Sequence, residues 1–132
     1  MNRKKLIILL IGMLLVIGAT ILAVYLHSVS DYKTKVANIN ITDIDLSKIP
    51  DGTYIGECNV DFIYAKVSVT VKNAVITDIK LLEHKNGKGK PAEAIIKSII
   101  DKQSLEVDAV SGATNSSKVI KKAIENALTG IK

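Results

Sequence analysis

Residues 65–81 read AKVSVTVKNAVITDIKL and carry the clearest structural signal in the chain. Over residues 65–72, alanine and three valines form one face, while lysines, serine and threonine form the other. This period of two is typical of a β-strand that is covered on one side only. Asn73-Ala74 interrupts the alternation as a turn, and Val75, Thr77, Ile79 and Leu81 then continue it. The segment therefore predicts an antiparallel hairpin.

Further elements are predicted on both sides of the hairpin. Asp51-Gly52 is a turn signal that opens the domain, and residues 53–58 form a short first strand. After the hairpin, Pro91 suits the first position of a helix and Glu93 favours its N-terminal turn. The apolar stripe of this helix consists of Ala92, Ile95, Ile96, Ile99 and Ile100.

A second helix is predicted to begin near Ser116 or Ser117 and to end at Gly130. Its apolar residues recur at the spacing of one helical face. They are Val119, Ile120, Ala123, Ile124, Ala127 and Leu128. Strands followed by helices predict an α+β domain, a small antiparallel sheet with two helices packed on one face.

An apolar run at residues 6–26 indicates a transmembrane anchor. Of its 21 residues, 18 are apolar. A helix of this length spans roughly 31 Å, which is enough for a hydrocarbon core about 30 Å thick. Three basic residues at positions 3–5 precede the run and no charge follows before Asp31, so the positive-inside rule leaves the N-terminus in the cytoplasm. A cleavable signal peptide is the competing interpretation, but its apolar region would be only about 7–15 residues long.

The anchor divides the chain into four predicted parts. Residues 1–5 are a cytoplasmic tip, residues 6–26 the anchor, residues 27–50 a polar stalk and residues 51–132 an extracytoplasmic domain. Three of the net +5 charges lie in the tip, so the exported part is nearly balanced. Nucleic-acid binding is excluded because this part has no basic cluster and few aromatic residues. One cysteine and two histidines predict neither a disulfide framework nor a metal site.

Two segments are candidates for chemistry. Residues 84–90, HKNGKGK, could bring backbone N–H groups and lysine charges to an anion, or could be a solvated connection. Residues 108–117 read DAVSGATNSS. In the simpler interpretation, Asn115, Ser116 or Ser117 caps the following helix. In the other, the small neighbours of Thr114 leave its hydroxyl accessible to a phosphate at the helix start.

Asp108-Ala109-Val110-Ser111-Gly112-Ala113-Thr114 resembles the flavinylation motif of the FMN-binding domain family, Asp-x-x-(Ser/Thr)-Gly-Ala-(Thr/Ser). That family includes flavin-carrying components of the sodium-pumping NADH:quinone oxidoreductase and of the Rnf complex, and many small exported bacterial proteins. The resemblance covers about residues 51–130. It includes Asp51-Gly52-Thr53-Tyr54-x-Gly56, the strand at 67–71, Glu83-His84-Lys85 with Gly87 and Gly89, and Asn115-Ser116-Ser117. Residues 59–64, NVDFIY, depart from a Tyr-Gly-Gly-like stretch in longer members, which bears on how the flavin ring is enclosed.

The resemblance implies that FMN is joined through its phosphate to the hydroxyl of Thr114. A separate flavin transferase would take the FMN unit from FAD, with a magnesium ion, outside the cytoplasmic membrane. Asp108 and Ser111 would be recognised by the transferase, and Gly112 and Ala113 would give clearance. Ser116 or Ser117 would hydrogen-bond the phosphate. The flavin site would be lined by His84, Gly87 and Gly89.

Three functions follow as hypotheses. The first is a membrane-anchored, extracytoplasmic electron-transfer flavoprotein of a bacterium, which exchanges electrons between a membrane donor and an outer acceptor. The second is a flavin-free, surface-tethered binding or regulatory module of the same fold. The third is a noncovalent flavin reductase, which is disfavoured because the sequence shows no nicotinamide fingerprint and no general acid or base beside a substrate pocket.

Overall fold

A computed structural model describes residues 1–87 and 89–130, which divide into two compact units, Met1–Thr34 and a second that begins at Lys35. Helix α1 spans Arg3–Ala37, and in the described part of the chain it is the helix long and apolar enough to cross a membrane. None of its most apolar 18-residue window is buried. The length and composition of α1 thus agree with the predicted anchor, although a signal sequence meets the same criteria.

The second unit contains a three-stranded antiparallel sheet in the order β1-β2-β3. Strand β1 is Gly52–Asn59, β2 is Tyr64–Lys72 and β3 is Val75–Lys85. Helix α2, Ile95–Lys102, follows a 3-10 helix at Lys90–Ala94, and helix α3 is Thr114–Thr129. Helix α3 packs against β1 and β2, and α2 packs against β3. The predicted α+β class, with its apolar N-terminal helix, is confirmed.

The central strand β2 forms the base of the core, as its alternation predicts. Its four inward side chains are almost fully buried. They are Ala65, Val67, Val69 and Val71. Opposite them, Gly56 on β1 allows α3 to approach closely, because a Cβ at this position would lie 2.2 Å from the backbone oxygen of Ala123.

The hairpin turn lies where the sequence predicts it, but the side chains of β3 that face the core differ from the prediction. Asn73 and Ala74 both adopt positive φ angles, 52° and 61°, which suits a two-residue hairpin turn. The alternation predicted from Val75 is wrong at its start, since Val75 is exposed and Ile76 is buried. A shift in the pairing register between Thr70 and Val71 places an extra β3 residue here and changes which side chains face inward.

Residues 27–50 differ from the predicted polar stalk. Residues 27–37 continue α1, and the segment after it is bound to the folded unit by long-range hydrogen bonds. The Asp43 carboxylate accepts from the Leu105 N–H at 2.9 Å and from the Ser104 hydroxyl at 2.8 Å. Partial burial acts to raise the pKa of Asp43, but these hydrogen bonds outweigh it and hold the pKa below its usual value.

Candidate functional site

The motif Asp108–Thr114 lies on the surface, in the turn that leads into α3. Asp108, Ser111, Gly112 and Thr114 are exposed, whereas Ala113 is buried. The Ala113 N–H donates to the Val110 oxygen at 2.9 Å and closes the turn. Gly112 has a φ of +77°, and a Cβ there would meet open space. Glycine suits the left-handed backbone of this turn, and the clearance predicted for Gly112 stays a prediction.

Thr114 is the first residue of α3, two or three positions earlier than the predicted start. The helix cap is Ala113, which makes no side-chain hydrogen bond to the first turn. The predicted cap by Asn115, Ser116 or Ser117 is therefore wrong, since all three lie within the first turn. The side chain of an alanine cap accepts nothing from the first N–H groups at the positive end of the helix, which favours a negatively charged group there. The exposed Thr114 hydroxyl is thus placed beside a position suited to a phosphate.

Two residues of α3 hold the motif segment in place. The fully buried Ser117 hydroxyl donates to the Ala113 oxygen at 2.8 Å and accepts from the Val110 N–H at 3.0 Å. One turn later, the Lys121 ammonium donates to the Val107 oxygen at 2.8 Å. Burial lowers the pKa of Lys121 against the opposing attraction of the Asp108 carboxylate. The Ser117 hydroxyl thus both donates to and accepts from the motif segment. Lys121 also holds the segment, which the sequence alone does not indicate.

Ser116 and Gly89 bring the two candidate segments together. Ser116 is 2% exposed, and its hydroxyl has no hydrogen-bond partner in the described part of the chain. A Cβ at Gly89 would lie only 1.9 Å from the Ser116 Oγ, so the absence of a side chain at Gly89 permits the contact. The segment that follows β3 therefore packs directly on the first turn of α3.

His84 lies at the end of β3 with its ring almost fully buried. Its side chain is 3% exposed, and Nδ1 lies 3.0 Å from Oε1 of Glu93. The other ring nitrogen, Nε2, is buried and has no partner among the described residues. The sequence predicts Glu93 only as a helix signal, because its pairing with His84 depends on the intervening turn.

The remaining predicted position, Gly87, is exposed and has a φ of +52°. A Cβ there would meet open space, so this glycine serves the backbone turn. Lys88, the central lysine of the predicted anion-binding segment, lies outside the described residues.

A second surface feature adjoins the motif. A polar depression of about 470 Å³ is lined by Ser98, Asp101, Lys102, Glu106, Val107 and Asp108. No group of three or more histidine, cysteine or carboxylate residues suited to a metal is found in the part of the chain that the structure describes. The half-buried thiol of Cys58 has its pKa raised by burial, which makes it a poor nucleophile.

Comparison with known families identifies the domain. A profile of the FMN-binding domain matches residues 62–129, just over half of the chain. The chain belongs to the FMN-binding domain family. A search of curated proteins finds no match.

The described residues fit a bound flavin in three respects. Thr114 offers an exposed hydroxyl at the start of a helix. Ser116 Oγ and His84 Nε2 are buried polar atoms without partners in the described chain. Gly89 keeps a side chain out of the space beside Ser116. A ligand with a phosphate and several hydrogen-bonding groups is of the kind that such a site can hold.

Proposed function

We propose that this protein is a membrane-anchored, extracytoplasmic electron-transfer flavoprotein that carries FMN on Thr114. The observation that carries the proposal is the placement of Thr114, in a chain of the FMN-binding domain family. Thr114 is exposed and is the first residue of a helix whose cap is an alanine. A phosphoester at this position would lie at the positive end of α3.

The attachment step needs only the hydroxyl of Thr114 from this chain. The Thr114 oxygen forms a bond to the FMN phosphorus of FAD, the bond between the two phosphates breaks, AMP leaves, and the hydroxyl proton is lost. A separate flavin transferase with a magnesium ion supplies the catalytic groups. Asp108 and Ser111 are both exposed, as residues recognised by that enzyme must be.

Ser117 and Lys121 keep the acceptor turn in one conformation, so that the transferase meets a preformed segment. Once attached, FMN supplies the electron-transfer chemistry, and the protein supplies its attachment and surroundings. Covalent attachment suits a location outside the cell, where a dissociated cofactor would be lost.

The anchor is proposed to place the domain outside a bacterial cytoplasmic membrane. Helix α1 has the required length and hydropathy, and its basic N-terminal end matches the positive-inside rule. From there the domain would take electrons from a membrane-bound donor and pass them to an extracytoplasmic acceptor. The lipid bilayer is thus one of its partners through α1.

The test of attachment is the intact mass of the full chain co-expressed with a flavin transferase. Wild type and Thr114→Ser are expected to gain the mass of one FMN less one water, because both keep a hydroxyl. Thr114→Ala is expected to gain nothing. Thr129→Ala, at the other end of the same helix, is the matched control and should load fully. An unmodified wild-type chain, or a modified Thr114→Ala chain, would contradict the proposal.

The test of placement uses a single introduced thiol. In a Cys58→Ser background, Ser98→Cys provides an exposed cysteine on α2. A membrane-impermeant thiol reagent is expected to label it in intact cells. Labelling that requires lysis would place the domain in the cytoplasm instead. The parent Cys58→Ser chain, which has no cysteine, is the control.

A further inference from the structure

Residues 35–50, the strap, lead from the end of α1 to β1 and belong to the folded unit. At the start of the strap, Val36 is 5% exposed and the Lys35 ammonium lies 2.7 Å from the Asp61 carboxylate. The strap lies outside residues 62–129, which match the family profile. Its role therefore has to follow from its own contacts.

Helix α3 holds the middle of the strap through two charged side chains. The Lys122 ammonium donates to the Asn40 oxygen at 3.0 Å, and the Thr42 N–H donates to the Glu125 carboxylate at 3.4 Å. Lys122 and Glu125 are themselves paired at 3.1 Å, and Glu125 is 8% exposed. A carboxylate this deeply buried needs hydrogen-bond partners, and the backbone of the strap supplies one of them.

Two further contacts hold the strap on either side of a 3-10 turn. The Asp43 carboxylate accepts from the Ser104 hydroxyl and the Leu105 N–H, which follow α2. The Tyr54 hydroxyl of β1 donates to the Pro50 oxygen at 2.6 Å. The apolar side chains between the polar contacts are half-buried; they are Ile39, Ile41 and Ile44. The strap is thus fixed at both ends and in the middle by different elements of the domain.

The docked strap shortens the free chain between the predicted anchor and the domain. The apolar run ends at Leu26 and the folded unit begins at Lys35, so residues 27–34 alone form the tether. Fully extended, this tether reaches about 28 Å, whereas residues 27–50 with the strap released would reach about 84 Å. The strap therefore limits how far from a bilayer the domain can operate.

We propose that the strap keeps the domain at the membrane surface, and that the partners with which it exchanges electrons are themselves bound to the membrane. This inference rests on the proposed function. The effective concentration of a tethered domain at such a partner falls roughly as the −3/2 power of the tether length. The short tether therefore raises it about fivefold over a tether of residues 27–50. A dissolved partner gains nothing from the short tether.

The test uses the flavin-loaded full chain in lipid nanodiscs, reduced chemically before use. Each reduced flavin passes two electrons to two ferrocenium ions, which become ferrocene, while two protons are released and oxidised FMN returns. The ferrocenium is either attached to a lipid headgroup or dissolved, and the rate of flavin oxidation is measured for both reagents.

The release variant is Val36→Asp with Asp43→Ala. It places an unpaired charge at a buried position of the docked strap and removes two hydrogen bonds, without changing α2, α3 or the sheet. Ala37→Asp with Asp45→Ala is the matched control, because it makes the same exchanges at two exposed neighbours.

Wild type and the control are expected to be oxidised by the lipid-attached reagent about fivefold faster than the release variant. The dissolved reagent should oxidise all three at the same rate. A release variant that is oxidised as fast as wild type by the lipid-attached reagent would overturn the inference.

An insertion keeps the test decisive if the release variant does not fold. A Gly-Ser segment as long as the strap, placed after Thr34, lengthens the tether and leaves every strap contact in place. With the strap docked, the insertion should slow oxidation by the lipid-attached reagent about fivefold, but with a free strap only about twofold. A twofold result would overturn this inference alone. A wild-type chain that carries no flavin would overturn both it and the proposed function.

Discussion

Replacing Ser117 by alanine tests whether this residue holds the acceptor turn. The substitution removes two hydrogen bonds of a fully buried hydroxyl. The Ala113 oxygen remains satisfied, because it also accepts from the backbone N–H of residue 117 at 2.9 Å. The Val110 N–H, in contrast, loses its acceptor in a partly buried position.

The magnitude follows from that one unsatisfied group. Leaving a buried donor unpaired costs about 1–3 kcal/mol. Alanine is a better helix former than serine and returns up to about 0.5 kcal/mol. The net loss is therefore expected to be about 0.5–3 kcal/mol, which corresponds to roughly a 2- to 150-fold change in the folding equilibrium.

Hydrogen exchange of the full chain is the appropriate assay, because it reports on individual segments. The Val110 amide should exchange faster in Ser117→Ala by about the factor given above, and flavin loading at Thr114 should slow. Ser98→Ala, an exposed position on α2, is the matched control and should change stability by less than about 0.5 kcal/mol. Unchanged exchange at Val110, together with normal loading, would refute the reasoning.

Three further predictions concern the sheet and its surroundings. Gly56→Ala should destabilise the domain by about 1–3 kcal/mol in urea unfolding, because its Cβ would meet the backbone of α3 and cannot be accommodated by a side-chain rotation. A spectrophotometric titration should show a tyrosine that ionises well above the usual value of about 10, since the hydrogen bond to the Glu57 carboxylate raises the pKa of Tyr64 to about 12. Glu57→Gln should remove this high-pH component. Because folding raises the pKa of Tyr64, its contribution to the free energy of unfolding is complete below the unfolded pKa of about 10 and is lost as the pH rises through the folded value. Asp43 has a lowered pKa, so its contribution is present above about pH 4 and is lost on acidification; Asp43→Asn should make acid unfolding less steep, which far-ultraviolet circular dichroism can follow.

Local patterns in the sequence predict the elements of the sheet well. Strand β2 and the Asn73-Ala74 turn could be predicted because alternation and turn preference act between near neighbours. The inward face of early β3 could not, because a register shift between paired strands is invisible in either strand alone. The same limit applies to residues 38–50, whose position depends on hydrogen bonds that the Asp43 carboxylate accepts from residues about 60 positions away.

The candidate site, too, could be predicted where its residues are neighbours in the sequence and not where folding brings them together. The motif around Thr114 could be recognised because its residues are contiguous. The role of Ser117 was misassigned to capping, since the helix begins at Thr114 and an alanine serves as its cap. Glu93 and Lys121 were missed because each acts on a residue that only the folded chain brings near, His84 and Val107 respectively.

The most direct test of the central claim is fragment mass spectrometry of the flavin-loaded protein. Cleavage after lysine releases residues 103–118 as one peptide, which contains Thr114 together with Ser104, Ser111, Ser116 and Ser117 as alternative hydroxyl acceptors. The account predicts that this peptide carries one FMN less one water, with the added mass confined to Thr114. An FMN increment on any of the four serines, or on another peptide, would contradict it.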